Sequence, residues 1–343
     1  MDPVPDDQTQ KRASLRDKCN RAVSELIQAL DSQAQDAYRS DELTVLGVSL
    51  GMFDPNGQDF LNSKACLFEP LSSGALEEYS LLESELNGGA LEYYFKFDEI
   101  YDHPTNVKNP PSSYIMAERA YQIFSHLDIL YCHYEKKMGS DLVFLGEVSG
   151  WDQMKHGNSF HDGPEGLLLG LRHGLPDWNT EAMREWQEDE DDQATTYPHI
   201  MLIICTGAEA KDDELLFGEL GPIAQAIQNR LSQTEFEKTS LFPVLAVSLF
   251  GPRHGRLLHA KFNKSGLLKV RASPIYSFRH KAEAPFKLFL RYHACEPRYG
   301  PEYEFYSDEE DPPKAPEYVS PSPAADKKNL PPKEENAPSA EEP

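Results

Sequence analysis

The pattern that most constrains this chain lies between residues 199 and 250. His199-Ile200-Met201-Leu202-Ile203-Ile204-Cys205 is an unbroken apolar run, and residues 242–250 form a second. Both have strand length and read as buried strands. Between them, apolar side chains recur at helical spacing over residues 222–231. That helix opens on Pro222, whose missing N–H suits a first turn. Strand, helix and strand make a βαβ unit, with parallel strands and a right-handed crossover. After Gly251-Pro252, residues 256–262 and 267–272 alternate about Asn263-Lys264-Ser265-Gly266, the signature of a hairpin. The expected class is therefore α/β or α+β. It is a mixed sheet with a C-terminal βαβ unit plus hairpin, and helices packed on it.

Upstream, residues 1–10 read as disordered. Residues 11–40 read as a helix whose stripe is Leu15, Cys19, Ala22, Val23, Leu26, Ile27 and Leu30. About four turns are too few for a coiled coil, so that helix should pack on the core. Residues 43–53 read as a strand, 75–86 as a helix and 91–97 as a strand. Ser112 or Ser113 caps a long helix with Ile115, Ile123, Leu127, Leu130 and Tyr134 inside. Residues 142–148 read as a strand and 286–292 as a last one. The stretch 149–198 reads as an irregular loop and a sub-boundary, holding short helices near 167–171 and 180–186. Residues 41–300 thus form a single core. From residue 301 Pro, Glu, Lys, Ser and Ala dominate, a composition that cannot offset its ordering entropy, so 301–343 reads as a disordered acidic tail.

A net charge of -24 repels phosphate, which argues against nucleic acid and anionic membranes as partners. The longest apolar runs reach about half of the roughly 20 residues that a bilayer helix needs. The N-terminus is acidic where a secretory signal is basic, so no targeting is expected. The five cysteines are scattered without a Cys-x-x-Cys pair, which fits reduced thiols in cytoplasm or nucleus. No Walker loop, Gly-x-Gly-x-x-Gly turn or Gly-x-Ser-x-Gly elbow occurs, so no cofactor is expected. His156 and His161 beside Asp162, and His126 and His133 beside Cys132, have no metal-ligand spacing, and no metal is expected either.

Two groups of residues remain as candidate sites. Pro176-Asp177 with Glu209-Ala210-Lys211 resembles the signature of the PD-(D/E)XK nucleases. There two acids hold a divalent metal and the lysine helps to activate or position water. The resemblance implies catalytic roles for Asp177, Glu209 and Lys211. It departs from the family in placing Glu209 and Lys211 after Gly207, in a loop, and Asp177 before a helix-like segment. The second group comes from charge. Residues 251–300 hold eleven Lys or Arg against Glu283 and Glu296, a local +9 in a chain of -24. Strand alternation puts His259 and Lys261 on one side of the hairpin with Lys269 and Arg271. With Arg256 they form an expected anion-contact face. That face is a solvated surface, a dock for the acidic tail or the acidic run 188–192, or a site for an anionic partner.

The block Phe242-Pro243-Val244-Leu245 through Phe250-Gly251-Pro252-Arg253-His254-Gly255-Arg256 resembles a recurring element in an uncharacterised family of intracellular proteins from filamentous fungi. The similarity is clearest over residues 199–280. It carries no known activity and no catalytic residue, and implies an association with biosynthetic gene clusters. The expected function is non-enzymatic, through contacts with an unidentified protein partner. The alternative is metal-dependent phosphodiester cleavage by Asp177, Glu209 and Lys211. Oligomeric state is not legible.

Overall fold

The apolar runs at 199–205 and 242–250 do pair in parallel, and a sheet is built outward from them. The computed structural model describes residues 7–83, 86, 88, 94–98, 112–138, 141–154, 158–164, 166–170, 174–188 and 196–306. Its main sheet contains β1 (Val48–Met52), β2 (Trp151–Gln153), β3 (Leu169–Gly170), β4 (Trp178–Gln187), β5 (Thr196–Thr206), β6 (Val244–Phe250), β7 (His254–Phe262), β8 (Leu268–Ala272) and β9 (Tyr276–Ser277). The main path runs β1-β8-β7-β6-β5-β4-β2, with β9 on β7 and β3 on β4. The β5/β6 and β8/β1 pairs are parallel and the others antiparallel. The long helices are α1 (Asp7–Ser32), α2 (Ser113–His133), α3 (Phe217–Ser232) and α4 (Phe286–His293).

Period-two alternation assigns each strand residue to one of two cores. Ile200, Leu202, Val244, Ala246, Leu258 and Val270 face α1 and α3, meeting Val23, Leu26, Leu30, Leu220, Ile223 and Ile227. Met201, Ile203, Leu245, Val247 and Leu257 face the opposite way, onto Ile123, Leu127 and Leu130 of α2 and Phe289 and Leu290 of α4. The result is helix, sheet, helix in three layers. It explains why β5 and β6 are apolar at nearly every position: neither face meets water.

Several elements differ from their sequence reading, each for a local reason. Residues 43–53 divide into a short helix, Ser40–Val45, and β1. The segment read as a helix over 180–186 is β4, in which Trp178, Thr180, Ala182 and Arg184 are the alternate buried positions. Thr180 and Arg184 are polar, so the period of two is hidden in the sequence. Residues 286–292 satisfy both periods. The structure chooses α4, whose stripe buries Phe286, Phe289, Leu290 and His293. Helix α3 starts at Phe217, which leaves Pro222 inside it. Of the helix expected over 75–86, Ser73–Leu76 is helical and Ser80–Leu81 is a strand. Tyr94–Asp98 is a helical turn in place of a strand. Residues 142–148 divide into the strand Asp141–Phe144 and the helical turn Leu145–Val148.

Both termini extend the ordered body beyond its expected limits. Helix α1 begins at Asp7, ahead of residue 11. Downstream, Pro301–Glu304 is a short helix whose buried Glu304 carboxylate accepts from Arg12 Nε (2.7 Å), Ser240 N (2.8 Å) and Ser240 Oγ (2.9 Å). The body therefore includes residues 301–306, which composition alone assigned to the tail; 307–343 lie outside the described residues. Among the described residues no helix is long and apolar enough to cross a membrane.

Candidate functional site

The hairpin register is the expected one: His259 faces Arg271 and Lys261 faces Lys269 across β7 and β8. Its consequence is not an open basic face. His259 and Lys261 are buried, and Lys261 Nζ lies 5.2 Å from the centre of the Tyr306 ring. Lys269 and Arg271 are half-buried. Arg256 shares the parity of Leu258 and Ala260, so it points into the α1/α3 layer, where it is fully buried. Its guanidinium forks onto Glu219 of α3, with Nε to Oε1 at 2.8 Å and Nη2 to Oε2 at 2.5 Å, and also donates to the carbonyls of Lys211 and Glu214. Arg256 is a core ion pair and drops out of any anion-contact face.

Other cations of the +9 stretch are also spent inside the molecule. Arg253, at φ 78° in the turn after cis Gly251-Pro252, donates to Phe97 O at 2.6 Å and stacks on that ring. Lys281 reaches Tyr94 O, Arg291 reaches Leu71 O and Asn56, and Arg298 reaches Leu61 O and Glu69. These side chains thus fasten described parts of the long excursion between β1 and α2 onto the body. The acidic tail and most of the 188–192 run lie outside the described residues.

The nuclease-like residues are partly brought together. Asp177 immediately precedes β4, and its carbonyl accepts from Gly207 N at 2.9 Å and Thr206 Oγ1 at 3.0 Å, so it adjoins the end of β5. Glu209 and Lys211 follow in an irregular loop and are exposed. Lys211 Nζ lies 3.5 Å from the Glu214 carboxylate. Among the described residues no group of three or more His, Cys, Asp or Glu could hold a metal ion. His126 is a core residue, stacked on Tyr94 and packed on Phe97 and Phe286. His156 lies outside the described residues.

A sizeable cavity lies elsewhere, at the β2 edge of the sheet. It is an open cleft of about 360 Å³, bounded by Leu71, Tyr79, residues 145–152, residues 186–188, Ala294 and Glu296. Its frame is rigid for identifiable reasons. Gly150 turns the chain at φ 69°, and a Cβ there would sit 2.4 Å from Trp186 Nε1. That indole N–H donates to Ser149 O at 3.1 Å while the ring stacks on Tyr197 at 4.7 Å. The Trp151 indole donates to Cys295 O at 2.6 Å. Beneath the turn, the Ser149 and Tyr131 hydroxyls share a short hydrogen bond. Ser149 Oγ also bonds Gly146 O and Trp151 N. Burial pushes the Tyr131 phenol up, against the Arg184 guanidinium that lies on its ring.

Ser149 is therefore a structural latch, and what the cleft presents outward is carboxylate. Glu147, Asp152, Glu188 and Glu296 line it, with no Lys, Arg or His among its described lining residues. Glu188 accepts from Tyr197 Oη at 2.6 Å, a bond that, with desolvation, pushes the phenol up to about 12. About half of the lining residues fall in the stretch read as an irregular loop. The available signal was local composition, since two of the chain's three Trp stand here among acids. Compared with protein-family profiles, with curated proteins and with solved structures, the chain matches none.

Proposed function

We propose that this chain is a non-enzymatic protein that acts by holding another protein, and that the cleft beside β2 is its docking surface. One observation carries the reading. The cleft is open, framed by hydrogen-bonded aromatic rings and lined by carboxylates, and its serine hydroxyl is already committed to the frame. Among the described residues such a surface offers carboxylates and rings for recognition, and its serine is held by the frame. The neighbouring three-stranded sheet, in which Tyr134–Met138 pairs with Ser80–Leu81 on one side and Asp141–Phe144 on the other, supports it. Strand Ser80–Leu81 continues from Tyr79, and strand Asp141–Phe144 leads into Leu145–Val148, so both run into the cleft wall. This sheet and the rim leave Met138, Leu142 and Val148 about half exposed. Apolar side chains beside a polar rim are the composition of a protein interface. The resemblance to fungal proteins adds a setting, an accessory role beside a biosynthetic gene cluster. Nothing in the geometry favours metal-dependent cleavage by Asp177, Glu209 and Lys211 over this reading.

The test is comparative capture. Full-length protein and its Val148→Arg variant are each immobilised and exposed to homogenate of the native cell, and retained proteins are quantified. We expect at least one protein held by the wild type and lost by the variant, whose melting temperature stays unchanged. Identical retention by both would overturn the assignment of the cleft.

A further inference from the structure

We propose that the ribbon formed by Phe68–Glu69 and Glu296–Pro297 is a proton-released strap, which closes one wall of the cleft at neutral pH and lifts on acidification. The ribbon is short, pairing Phe68 with Pro297 and Glu69 with Glu296. It and its flanks supply Leu71, Ala294 and Glu296 to the cleft, so the docking surface is complete only while the ribbon is down. That consequence rests on the docking reading above; the release itself rests on packing alone. Alternation turns Glu69 outward and Phe68 inward, where its ring is fully buried. The ring meets His199 of β5 at 5.2 Å and His259 of β7 at 5.3 Å, both edge to face. Ala65, Leu67 and Phe68 also wall the small cavity that holds His259, Lys261 and Arg271. The strap's inward anchor thus rests on two titratable rings.

The groups around each ring do not favour a charge on it. Arg271 of β8 stands opposite His259, and Lys261 lines the same cavity. The other rings against His259 are Tyr292 of α4 at 5.8 Å, with Phe53 and Phe60 from the segment after β1. Around His199 stand the Tyr197 and Tyr299 rings and the main chain of Leu67 and Arg298. Arg230 of α3 donates to the His199 carbonyl at 3.3 Å and pairs with Glu185 at 2.9 Å. Among the described residues no carboxylate bonds either ring. Burial, with Arg230 and Arg271 adding to it, lowers both histidines from 6.5 to about 3, and the Leu67 and Arg298 main chain offsets only part of this at His199. Lifting the ribbon admits water and returns both rings toward 6.5, so the open form takes up protons that the closed form refuses. The closed form is therefore favoured above pH 6.5 and loses ground as the pH falls toward 3. Between pH 7 and pH 5 each freed histidine shifts the opening equilibrium about 25-fold, and the two together about 600-fold.

The experiment is hydrogen exchange on the full chain from pH 7 to pH 4.5, read by mass spectrometry and corrected for the intrinsic pH dependence of exchange. The variants are His199→Leu, His259→Leu and the two together. In the wild type, amides of residues 64–71 and 294–299 should open about as the square of the proton concentration below pH 6, while those of β5 and β6 stay protected. Each single variant should follow the first power, and the double variant should show no pH dependence. Should a variant fail to fold, the wild-type slope and its contrast between segments decide alone. A flat wild-type profile would overturn the strap. So would equal acceleration in β5 and β6, because the whole body would then be unfolding. The docking reading stands or falls separately, on Val148→Arg at pH 7. If the exchange result holds while that variant captures the same proteins as the wild type, the strap stands without the docking role.

Discussion

His259 gives a sharp test of the packing described for the hairpin. Its ring lies in an aromatic box, 4.8 Å from Phe53, 5.3 Å from both Phe60 and Phe68, and 5.8 Å from Tyr292, and neither ring nitrogen has a hydrogen-bond partner. Lys261 and Arg271 share the small cavity beside it. Burial, reinforced by Arg271, lowers its pKa from 6.5 to about 3. The folded-state value is depressed for a base, so the unfolded chain binds the proton first. Stability is therefore intact above pH 6.5 and falls as the pH drops from there toward 3. At pH 5 the protonation difference amounts to about 2 kcal/mol. Replacing His259 with Phe removes the titrating group and two unsatisfied nitrogens, worth about 1 kcal/mol at pH 7. Urea unfolding of both proteins at pH 7, 6 and 5 should give a stability gap that widens by about 2 kcal/mol on acidification. His259→Leu serves as a second variant should the larger ring overpack. A gap that stays constant from pH 7 to pH 5 for both would refute the buried, neutral histidine.

Removing one member of the buried Arg256–Glu219 pair, by Arg256→Met or Glu219→Leu, should cost about 3 to 5 kcal/mol, with the double variant partly restored. Urea unfolding of the four proteins reads the coupling; additive losses would argue against the ion pair. Glu304→Gln should cost about 1 to 3 kcal/mol, because Arg12 and Ser240 lose a charged acceptor; an unchanged melting temperature would return residues 301–306 to the tail. Millimolar Mg²⁺ or Mn²⁺ should leave the melting temperature where it is, and a rise that Glu209→Gln abolishes would revive the metal-dependent reading. In the native protein only Cys132 should react with a thiol reagent, and slowly, since burial raises its thiol to about 11; all five should react after unfolding, and rapid native modification of two or more would contradict the burial of the others.

What the sequence revealed and what it concealed divide along one physical line. Apolar runs in β5 and β6 and the α1 stripe were legible because their side chains report burial directly, and the Asn263–Gly266 turn because its Asn and Gly are turn formers. Helix α2 was legible too, from its Ser112 cap, whose Oγ accepts from Ile115 N. The reading failed where buried positions are polar or where two periods coincide. Strand β4 buries Thr180, Arg184 and Glu185, so it lacks a hydrophobic alternation. Helix α4 fits a period of two as well as its own. The cleft failed for a different reason. Its wall is assembled from residues as distant as Leu71 and Glu296, and no spacing in the chain announces that Gly150 must yield space to Trp186.

The same line explains why charge misled. A basic hairpin on an acidic chain invites a search for an anionic partner, because charged residues seldom lie fully buried unless they are paired. Here the pairing is internal. Arg256 closes the core between β7 and α3, while Arg253, Lys281, Arg291 and Arg298 fasten residues 56–98 by donating to carbonyls, an amide and a carboxylate. Among its described residues that excursion contributes only short strands, and long donors reaching across from 253–298 satisfy several of its main-chain acceptors. Long cationic side chains suit the task because each covers apolar surface with its stem and brings several donors to its tip. Much of the local +9 is thus spent in folding, and the carboxylates of the cleft stand at the other, β2 edge of the sheet.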